Sequence, residues 1–514
     1  MTEIEGGSTV TGTVAVVGTG TMGQGIAQVA LVAGHPVRLY DAAPGRAAQA
    51  AASIAARLDR LVEKGRLTAA DRDAARDRLH PAAALAELAD AELVVEAVVE
   101  QLAVKQELFG ALEEIVSDTC LLATNTSSLS VTAVAGALRV PGRFVGLHFF
   151  NPAPLLPLVE VVRGSATDEA AADRAHATAA AWGKTPVRCA DTPGFIVNRI
   201  ARPFYAEAFR VFEERAADPA TIDAALRESG GFTMGPFELT DLIGQDVNEA
   251  VTRSVWESFF QDPKFTPSLA QRRLVESGLH GRKSGRGWYD HGPDATPPAP
   301  HTAEPRTAPR EVTIEGSLGP ADELRELIEE AGIKVVREDD PADLTSQGGC
   351  VVLPGGARLL LSDGYTASDY ASSGTYIYFD LALDYRTATR IVLAPADSAA
   401  PEDVDEAIGL FQALGKQVSV IDDVPGMIVA RTVAMIADFA LDAVARGVAG
   451  PEDVDVAMRL GVNYPGGPLE WVGRLGATWL EGILDALHQH YHPTGRYAPS
   501  PALRRRAAAE RRVL

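Results

Sequence analysis

The chain begins with short apolar runs that alternate with longer segments of helical periodicity. Residues 14–17 are all apolar and predict a buried strand. A glycine-rich turn follows, and residues 24–33, rich in alanine, valine and leucine, predict a helix packed on that strand. Residues 36–40 predict a second strand, which ends at Asp41. The chain therefore opens with a β-α-β unit.

The same alternation continues to about residue 185. The predicted helices span residues 44–64, 68–78 and 104–116, and the predicted strands span residues 93–98, 121–125, 144–149 and 158–162. Thr68 is the expected N-cap of the second of these helices. Strands that alternate with helices in this way indicate a parallel, doubly wound sheet of the Rossmann type.

From residue 191 the pattern changes to long helices without strands. Residues 291–310 are rich in proline and poor in large apolar side chains, which indicates a linker. A smaller α/β block without a glycine fingerprint follows, and the chain ends in further helices. The predicted domains are an NAD-binding Rossmann domain (13–189), an all-α domain (190–290), the linker (291–310), a vestigial α/β block (311–420) and a second all-α domain (421–514).

The second all-α domain is a copy of the first. Residues 191–199 reappear as residues 423–431, an offset of 232 positions. The same offset relates Gly235-Pro236 to Gly467-Pro468. An offset that stays constant over such a length indicates a duplicated domain rather than chance similarity.

The glycine-rich turn carries the first candidate chemistry. Gly18, Gly20 and Gly23 form the pattern G-x-G-x-x-G, which allows a tight turn, close approach of the backbone to a pyrophosphate and close packing of helix on strand. Free N–H groups at the start of the helix favour phosphate groups. Asp41 lies 23 residues after Gly18, where this fingerprint has the acid that binds the ribose 2′-hydroxyl. The sequence therefore predicts a dinucleotide site that prefers NAD to NADP.

Charge and composition narrow the choice of partners. The net charge of −22 argues against nucleic acid or an anionic membrane surface. The three cysteines are too widely spaced for a disulfide framework or a metal cluster. The sequence shows no signal peptide and no apolar run of membrane-spanning length, so the expected location is the cytoplasm.

Two clusters near the end of the chain have ordinary explanations. Histidines alternate over residues 488–492 but have no carboxylate or cysteine companions, so no metal site is expected. The arginines at residues 504–506 fit a solvated helix face better than a nucleic-acid patch.

Four polar residues lie at predicted strand ends or at the junction with the first all-α domain, where an open α/β sheet binds its ligands: Ser127, His148, Glu160 and Asn198. Each alone has a structural interpretation. A histidine at a strand end is often a hydrogen-bonding residue, a buried glutamate can pair within the core, and serine or asparagine often caps a helix. The prediction of a catalytic group rests on the four together.

Six stretches, in the same order, resemble the L-3-hydroxyacyl-CoA dehydrogenases of fatty-acid β-oxidation, including the bacterial 3-hydroxybutyryl-CoA and phenylacetate-pathway enzymes. They are residues 17–23, 95–100, 125–129, 146–152, 191–199 and 234–239. The resemblance covers residues 13–290. It implies reversible, NAD-dependent oxidation of an (S)-3-hydroxyacyl-CoA to a 3-oxoacyl-CoA.

The resemblance also implies roles for individual residues. By position, His148 is the general base, Glu160 is its partner, Ser127 and Asn198 bind the substrate oxygen, and Lys64 meets the CoA phosphates. The implied cofactor residues are Gly18, Gly20, Thr21, Met22, Gly23, Asp41, Glu100, Lys105, Ser127 and Asn151.

Two other functions stay open on the sequence. One is a dehydrogenase of the same fold that acts on a free hydroxy acid or sugar acid. The other is an NAD-binding sensor or scaffold that uses its duplicated domain for partner contact. The complete catalytic set argues against a sensor, which needs no base.

The second half of the chain lacks the candidate catalytic residues: at the 232-residue offset stand Asp380 for His148, Val392 for Glu160 and Ala430 for Asn198. We therefore expect this half to be catalytically silent. Its apolar helices are predicted to pack against the first copy, giving either a monomer with pseudo-dimeric helical domains or a homodimer.

Overall fold

The structure, a computed structural model, describes residues 9–338 and 349–512. The chain divides into two compact units. Unit 1 comprises Met1–Arg199 and Arg446–Val462, and unit 2 comprises Ile200–Ala445 and Asn463–Leu514. Of the predicted segments, residues 339–348 of the α/β block and the last two residues of the second all-α domain lie outside the described residues.

Unit 1 is built on an eight-stranded sheet with helices against it. Its strands are β1 (Thr13–Val17), β2 (Val37–Tyr40), β3 (Leu79–Ala82), β4 (Ala91–Glu96), β5 (Leu121–Thr124), β6 (Phe144–Phe149), β7 (Leu158–Arg163) and β8 (Thr185–Ala190). Its helices are α1 (Thr21–Val32), α2 (Arg46–Glu63), α3 (Ala69–Asp77), α4 (Leu102–Glu113), α5 (Val131–Ala135), α6 (Glu169–Ala181), the start of α7 (Val197–Ile200) and α16 (Pro451–Val462).

The strand order is β3-β2-β1-β4-β5-β6-β7-β8. The predicted Rossmann fold class is confirmed, and Thr68 caps α3 by accepting a hydrogen bond from the N–H of Asp71. One pair departs from the parallel pattern, because β6 and β7 run antiparallel. The apolar run in β7 is buried on both faces, and such a run carries no information about strand direction.

Unit 2 contains a second sheet, of seven strands. They are β9 (Glu311–Glu315), β10 (Lys334–Glu338), β11 (Cys350–Val352), β12 (Arg358–Leu361), β13 (Tyr376–Phe379), β14 (Arg390–Pro395) and β15 (Gln417–Val420), in the order β10-β9-β11-β12-β13-β14-β15. The β13–β14 pair is antiparallel and the β14–β15 pair is parallel, which repeats the arrangement of β6, β7 and β8. The α/β block therefore preserves one edge of the first sheet.

The remaining helices belong to unit 2. They are α8 (Arg202–Glu213), α9 (Pro219–Glu228), α10 (Pro236–Ile243), α11 (Gln245–Ser258), α12 (Leu269–Glu276), α13 (Glu323–Glu330), α14 (Pro401–Ala413), α15 (Val429–Ala445), α17 (Pro468–Leu475), α18 (Ala477–His490) and α19 (Pro501–Glu510). Helix α15 of the second copy packs against α8 of the first. No helix in the described ranges is long and apolar enough to span a membrane.

Each copy of the all-α domain contributes one helix to the sheet of the other half of the chain. Helix α9, from the first copy, packs on β14 of the second sheet, and the hydroxyl of Ser229 donates to the carbonyl of Arg390. Helix α16 is the 232-residue counterpart of α9 and packs on β7 and β8 of the first sheet. There the N–H of Ala190 donates to the carbonyl of Val448. The second copy therefore completes unit 1.

Candidate active site

The glycine-rich loop joins β1 to α1 and borders a cavity of about 610 Å³. Gly18 has a φ of +100°, and a side chain there would clash with the carbonyl of Ala97. A side chain at Gly23 would clash with the carbonyl of Gly18, so that glycine is needed where α1 packs on the turn. Gly20 is the N-cap of α1 and faces open space. The loop therefore fits a pyrophosphate, which needs exposed backbone N–H groups at a helix N-terminus.

Asp41 borders the same cavity at the end of β2. Its carboxylate accepts hydrogen bonds from the N–H and the hydroxyl of Thr19 and from the N–H of Ala43. Burial opposes ionisation, but these hydrogen bonds outweigh it and lower the pKa of Asp41. An ionised carboxylate in this position suits a ribose with a free 2′-hydroxyl and repels a 2′-phosphate.

His148 and Glu160 lie directly opposite each other on the antiparallel strands β6 and β7. Nδ1 of His148 lies 2.6 Å from Oε2 of Glu160. The histidine is 5% exposed and the glutamate is fully buried. Among the described residues, no group bonds to Nε2 of His148, which leaves that nitrogen available to a ligand.

The other oxygen of Glu160 accepts hydrogen bonds from the N–H groups of Ile196 and Val197, at 3.0 and 2.9 Å. These two residues immediately precede Asn198, which lies on α7 and is half-buried. One carboxylate therefore orients the imidazole and fixes the backbone that carries Asn198.

Ser127 lies in the loop after β5, and this loop is hydrogen-bonded to the side chain of Glu100. Oε1 of Glu100 accepts hydrogen bonds from the hydroxyl of Thr126 and the N–H groups of Ser127 and Ser128. Burial opposes ionisation, but Lys105 and these bonds outweigh it and lower the pKa of Glu100. The backbone of Ser127 is fixed while its side chain is left half-buried.

Lys105 is buried and supports this loop from inside the protein. Its Nζ lies 2.6 Å from Glu96 and 3.2 Å from Glu100, and its side chain is 1% exposed. Glu96 is fully buried and also accepts a hydrogen bond from the hydroxyl of Thr124. The sequence alone did not single out Glu96, although an acidic residue inside an apolar strand was a usable signal.

Asn125 is a second site residue that the sequence alone did not single out. Its side-chain oxygen accepts a hydrogen bond of 2.8 Å from the N–H of Phe149, which ties the Ser127 loop to the strand of His148. Asn151 lies exposed in the following loop, which contacts α1 at Gly25.

The fingerprint residues Thr21 and Met22 begin α1, exposed and half-buried respectively. Lys64 is exposed at the C-terminal end of α2, and the described residues include no hydrogen-bond or ion-pair partner for its side chain. The structure therefore links His148 to the segment that carries Asn198 through Glu160, and Asn125 ties the Ser127 loop to the strand of His148. It does not join Lys64 to these residues.

Comparison with known proteins identifies the family. Residues 13–192 match the model of the 3-hydroxyacyl-CoA dehydrogenase NAD-binding domain, and residues 194–291 and 426–512 match that of its C-terminal domain. A 3-hydroxyadipyl-CoA dehydrogenase of Escherichia coli K12 is 43% identical over 97% of this chain and 98% of its own length. The chain belongs to the 3-hydroxyacyl-CoA dehydrogenase family. It is therefore an oxidoreductase whose cofactor is NAD.

Other members of the 3-hydroxyacyl-CoA dehydrogenase family show which parts are shared. A 3-hydroxybutyryl-CoA dehydrogenase of Mycobacterium tuberculosis is 42% identical but covers 54% of this chain, with 98% of its own length matched. A solved structure of 3-hydroxybutyryl-CoA dehydrogenase from Escherichia coli K12 covers 98% of this chain and all of its own, at 42% identity and a TM-score of 0.88. Residues 359–425 match a 3-hydroxybutyryl-CoA dehydrogenase reduced Rossmann-fold domain.

The geometry of Asp41 predicts the coenzyme preference of this dehydrogenase. Replacing Asp41 by alanine should lower kcat/KM for NADH by about 10-fold, because a charge-assisted hydrogen bond to the ribose is lost. The same change should raise kcat/KM for NADPH. Steady-state kinetics with both coenzymes measure the ratio. Asp90→Ala, which removes an exposed ion pair with Arg38, is the control and should leave the ratio unchanged.

Proposed function

We propose that this protein catalyses the reversible oxidation of (S)-3-hydroxyacyl-CoA to 3-oxoacyl-CoA, with His148 as general base and Glu160 as its partner. The observation that carries the proposal is the 2.6 Å contact between Nδ1 of His148 and Glu160, which leaves Nε2 available on the strand next to the Ser127 loop. A neutral imidazole held in one orientation is the group required to remove a hydroxyl proton near neutral pH.

Each step by the chain's own residues follows from this contact. In the oxidising direction Nε2 of His148 takes the proton of the substrate hydroxyl, and Glu160 stabilises the imidazolium that results. Bound NAD would accept the hydride that leaves carbon 3. In the reducing direction the imidazolium returns the proton to the same oxygen.

Ser127 and Asn198 would bind the substrate oxygen. Both side chains are half-buried, and both stand on backbone fixed by carboxylates, Glu100 for Ser127 and Glu160 for Asn198. Fixed donors aimed at an oxygen that gains negative charge lower the barrier because they need no reorganisation.

The substrate class rests on the family. The Escherichia coli and Mycobacterium tuberculosis relatives are named for 3-hydroxyadipyl-CoA and 3-hydroxybutyryl-CoA, and we propose acyl-CoA thioesters of this size as substrates. With a net charge of −22, the protein needs local basic residues to hold the CoA phosphates, and we propose exposed Lys64 as one of them. We further propose a cytoplasmic enzyme that is a monomer or a homodimer.

The test is NADH oxidation with acetoacetyl-CoA beside free acetoacetate. We expect turnover with the thioester only. Turnover of the free acid would instead support a free hydroxy-acid dehydrogenase. NADH binding without turnover of either compound would support the sensor.

Glu160 contacts His148 with one oxygen and accepts backbone hydrogen bonds with the other. In the second half of the chain only the second of these contacts is present. Asp380 stands at the offset position of His148, yet its carboxylate accepts hydrogen bonds from the N–H groups of Ile428, Val429 and Ala430. This is the anchoring contact that Glu160 makes with the first copy. The second half of the chain therefore has the hydrogen bonds to the helical backbone but has no histidine at the offset position of His148.

Glu160→Gln should therefore lower both stability and kcat, and Asp380→Asn should lower stability alone. Each change removes the charge from a buried acceptor of backbone N–H groups, for which we expect about 1–3 kcal/mol. We expect Glu160→Gln to lower kcat by about 10²-fold in addition, because the imidazolium loses its counter-charge. Urea denaturation and steady-state kinetics measure the two effects. Equal kcat values for the two variants would refute the pairing role of Glu160.

A further inference from the structure

Glu96, the last residue of β4, is a fully buried carboxylate that bonds to three separate parts of unit 1. Its Oε1 accepts hydrogen bonds of 2.6 Å from the N–H of Val98 and from Nζ of Lys105. Its Oε2 accepts a hydrogen bond of 2.7 Å from the hydroxyl of Thr124. The three donors lie in the loop after β4, in α4 and at the end of β5. Burial of a carboxylate is unfavourable, and these three contacts offset it.

The bond from Val98 fixes one wall of the coenzyme cavity. Ala97 and Val98 both border this cavity, together with Gly18 of the glycine-rich loop. The loop and the wall are in close contact, because a side chain at Gly18 would clash with the carbonyl oxygen of Ala97. The carboxylate of Glu96 therefore holds the backbone against which the glycine-rich loop packs.

Thr124 links the same carboxylate to the loop of Ser127. The hydroxyl of Thr124 donates to Glu96 and accepts a hydrogen bond of 3.3 Å from the N–H of Thr126. Thr126 immediately precedes Ser127. The start of the loop is thus fixed by a hydroxyl that Glu96 orients.

Lys105 provides a second link from Glu96 to this loop. Its ammonium lies 2.6 Å from Glu96 and 3.2 Å from Glu100. Glu100 in turn accepts a hydrogen bond of 3.0 Å from the N–H of Ser127. The coenzyme wall and the substrate loop therefore share one buried support.

We propose that Glu96 is a positioning residue that holds the coenzyme cavity and the loop of Ser127 in one fixed geometry. The part that concerns Ser127 rests on the function proposed above. Hydride transfer requires the reacting carbon and the coenzyme to lie at a fixed separation, and a misplacement of about 1 Å can lower the rate by about 10²-fold. Because Glu96 bonds to both segments, neither can move without losing a hydrogen bond to it.

Glu113, at the other end of α4, is the matched control. It is 4% exposed, accepts hydrogen bonds from the N–H groups of Arg139 and Val140, and lies 3.5 Å from Arg143. Like Glu96, it is a buried carboxylate with backbone donors and one cation. None of these contacts involves a residue that borders the coenzyme cavity or belongs to the loop after β5.

The test compares Glu96→Gln with Glu113→Gln. Glu96→Gln should raise the dissociation constant of NADH by about 10-fold, the value of one hydrogen bond to the cavity wall, and lower kcat with acetoacetyl-CoA by about 10²-fold. Glu113→Gln should change neither quantity by more than about twofold, although both variants should lower the melting temperature. Fluorescence titration, steady-state kinetics and thermal unfolding measure the three quantities. A wild-type value of either the dissociation constant or kcat in Glu96→Gln, or equal losses in the two variants, would overturn the proposal.

Thr124→Val is a milder variant that keeps the shape of the side chain. It removes the hydroxyl between Glu96 and Thr126 and leaves the bond from Val98 in place. We expect kcat to fall by about 10-fold while the dissociation constant of NADH stays within about twofold of the wild-type value. Weaker NADH binding with an unchanged kcat would contradict the proposed link to Ser127.

NADH binding separates this proposal from the function on which it rests. The titration needs no acyl-CoA, so Glu96→Gln should bind NADH more weakly than the wild type whatever the substrate is. A wild type that does not turn over acetoacetyl-CoA would refute the proposed function and leave this difference in NADH affinity as the test of Glu96.

Discussion

Replacing His148 by glutamine is expected to reduce kcat for (S)-3-hydroxybutyryl-CoA by about 10²- to 10⁴-fold, the usual contribution of a general base. Glutamine keeps a polar side chain opposite Glu160 but cannot take a proton near neutral pH. The affinity for NADH should stay within about twofold, because the coenzyme cavity lies at the loop of Gly18 and Gly20 rather than at β6. Single-turnover kinetics and NADH fluorescence titration measure the two quantities.

A histidine elsewhere in unit 1 provides the control for this experiment. His80 is exposed on β3, and the described residues include no hydrogen-bond partner for its side chain. His80→Gln should therefore keep the wild-type kcat. Comparable kcat values for His148→Gln and the wild type would show that another group removes the proton.

Replacing Glu207 by alanine is expected to have the largest effect on folding, a loss of about 3–5 kcal/mol in the free energy of unfolding. Glu207 belongs to the first copy of the helical domain and is fully buried. It forms ion pairs with Arg496 at 2.5 Å and Arg431 at 3.3 Å, and it accepts a hydrogen bond of 2.8 Å from the hydroxyl of Tyr497. All three partners belong to the second copy. The change leaves the buried Arg496 without its carboxylate partner and leaves Arg431 with Glu214 alone.

The pH dependence of the free energy of unfolding gives a second test of the contacts that Glu207 makes with the second copy. Burial opposes ionisation of Glu207, but Arg496 and Arg431 outweigh it and lower its pKa below the ordinary 4.5. Because its pKa is lowered in the folded state, ionised Glu207 contributes to the free energy of unfolding. This contribution is complete above pH 4.5 and is lost as the pH falls through the pKa that Glu207 has in the folded protein. The wild type should lose stability in that acidic range more steeply than Glu207→Ala does.

Urea denaturation at neutral pH tests the size of the effect. The control is Glu213→Ala on the same helix, where an exposed carboxylate accepts hydrogen bonds from Ser268 and Ala270. Because that site is solvated, we expect a loss below about 1 kcal/mol. Equal losses for the two variants would contradict the account of Glu207 as the link between the copies.

The sequence was sufficient for the parts of the fold that have a local signature. The glycine turn at Gly18, the N-cap at Thr68 and the constant 232-residue offset each depend on residues close together or on exact repetition. The alternation of strands and helices likewise predicted the Rossmann sheet. It did not predict strands β3 and β8, because β3 contains Pro81 and an exposed histidine and β8 is only partly apolar.

The sequence did not predict which elements pack together when they are far apart along the chain. Nothing in residues 451–462 indicates that α16 packs on β7 and β8, because an amphipathic helix does not specify which sheet it covers. The dual use of Glu160 was hidden for a similar reason, since its two oxygens bond to groups 12 and 36–37 residues away. The 232-residue offset aligns Asp380 with His148. It does not indicate that the carboxylate of Asp380 accepts backbone hydrogen bonds from the second copy, as the carboxylate of Glu160 does from the first.

The most direct test of the central claim follows the hydrogen on carbon 3 of the substrate. Purified protein is incubated with NAD⁺ and (S)-3-hydroxybutyryl-CoA carrying deuterium at carbon 3, and the dinucleotide and acyl products are analysed by mass spectrometry. We expect one deuterium in each NADH formed, an equal amount of acetoacetyl-CoA, and no comparable transfer by His148→Gln. Deuterium released to water would contradict hydride transfer to NAD⁺, and NADH formed at the same rate by the variant would contradict the role of His148 as the base.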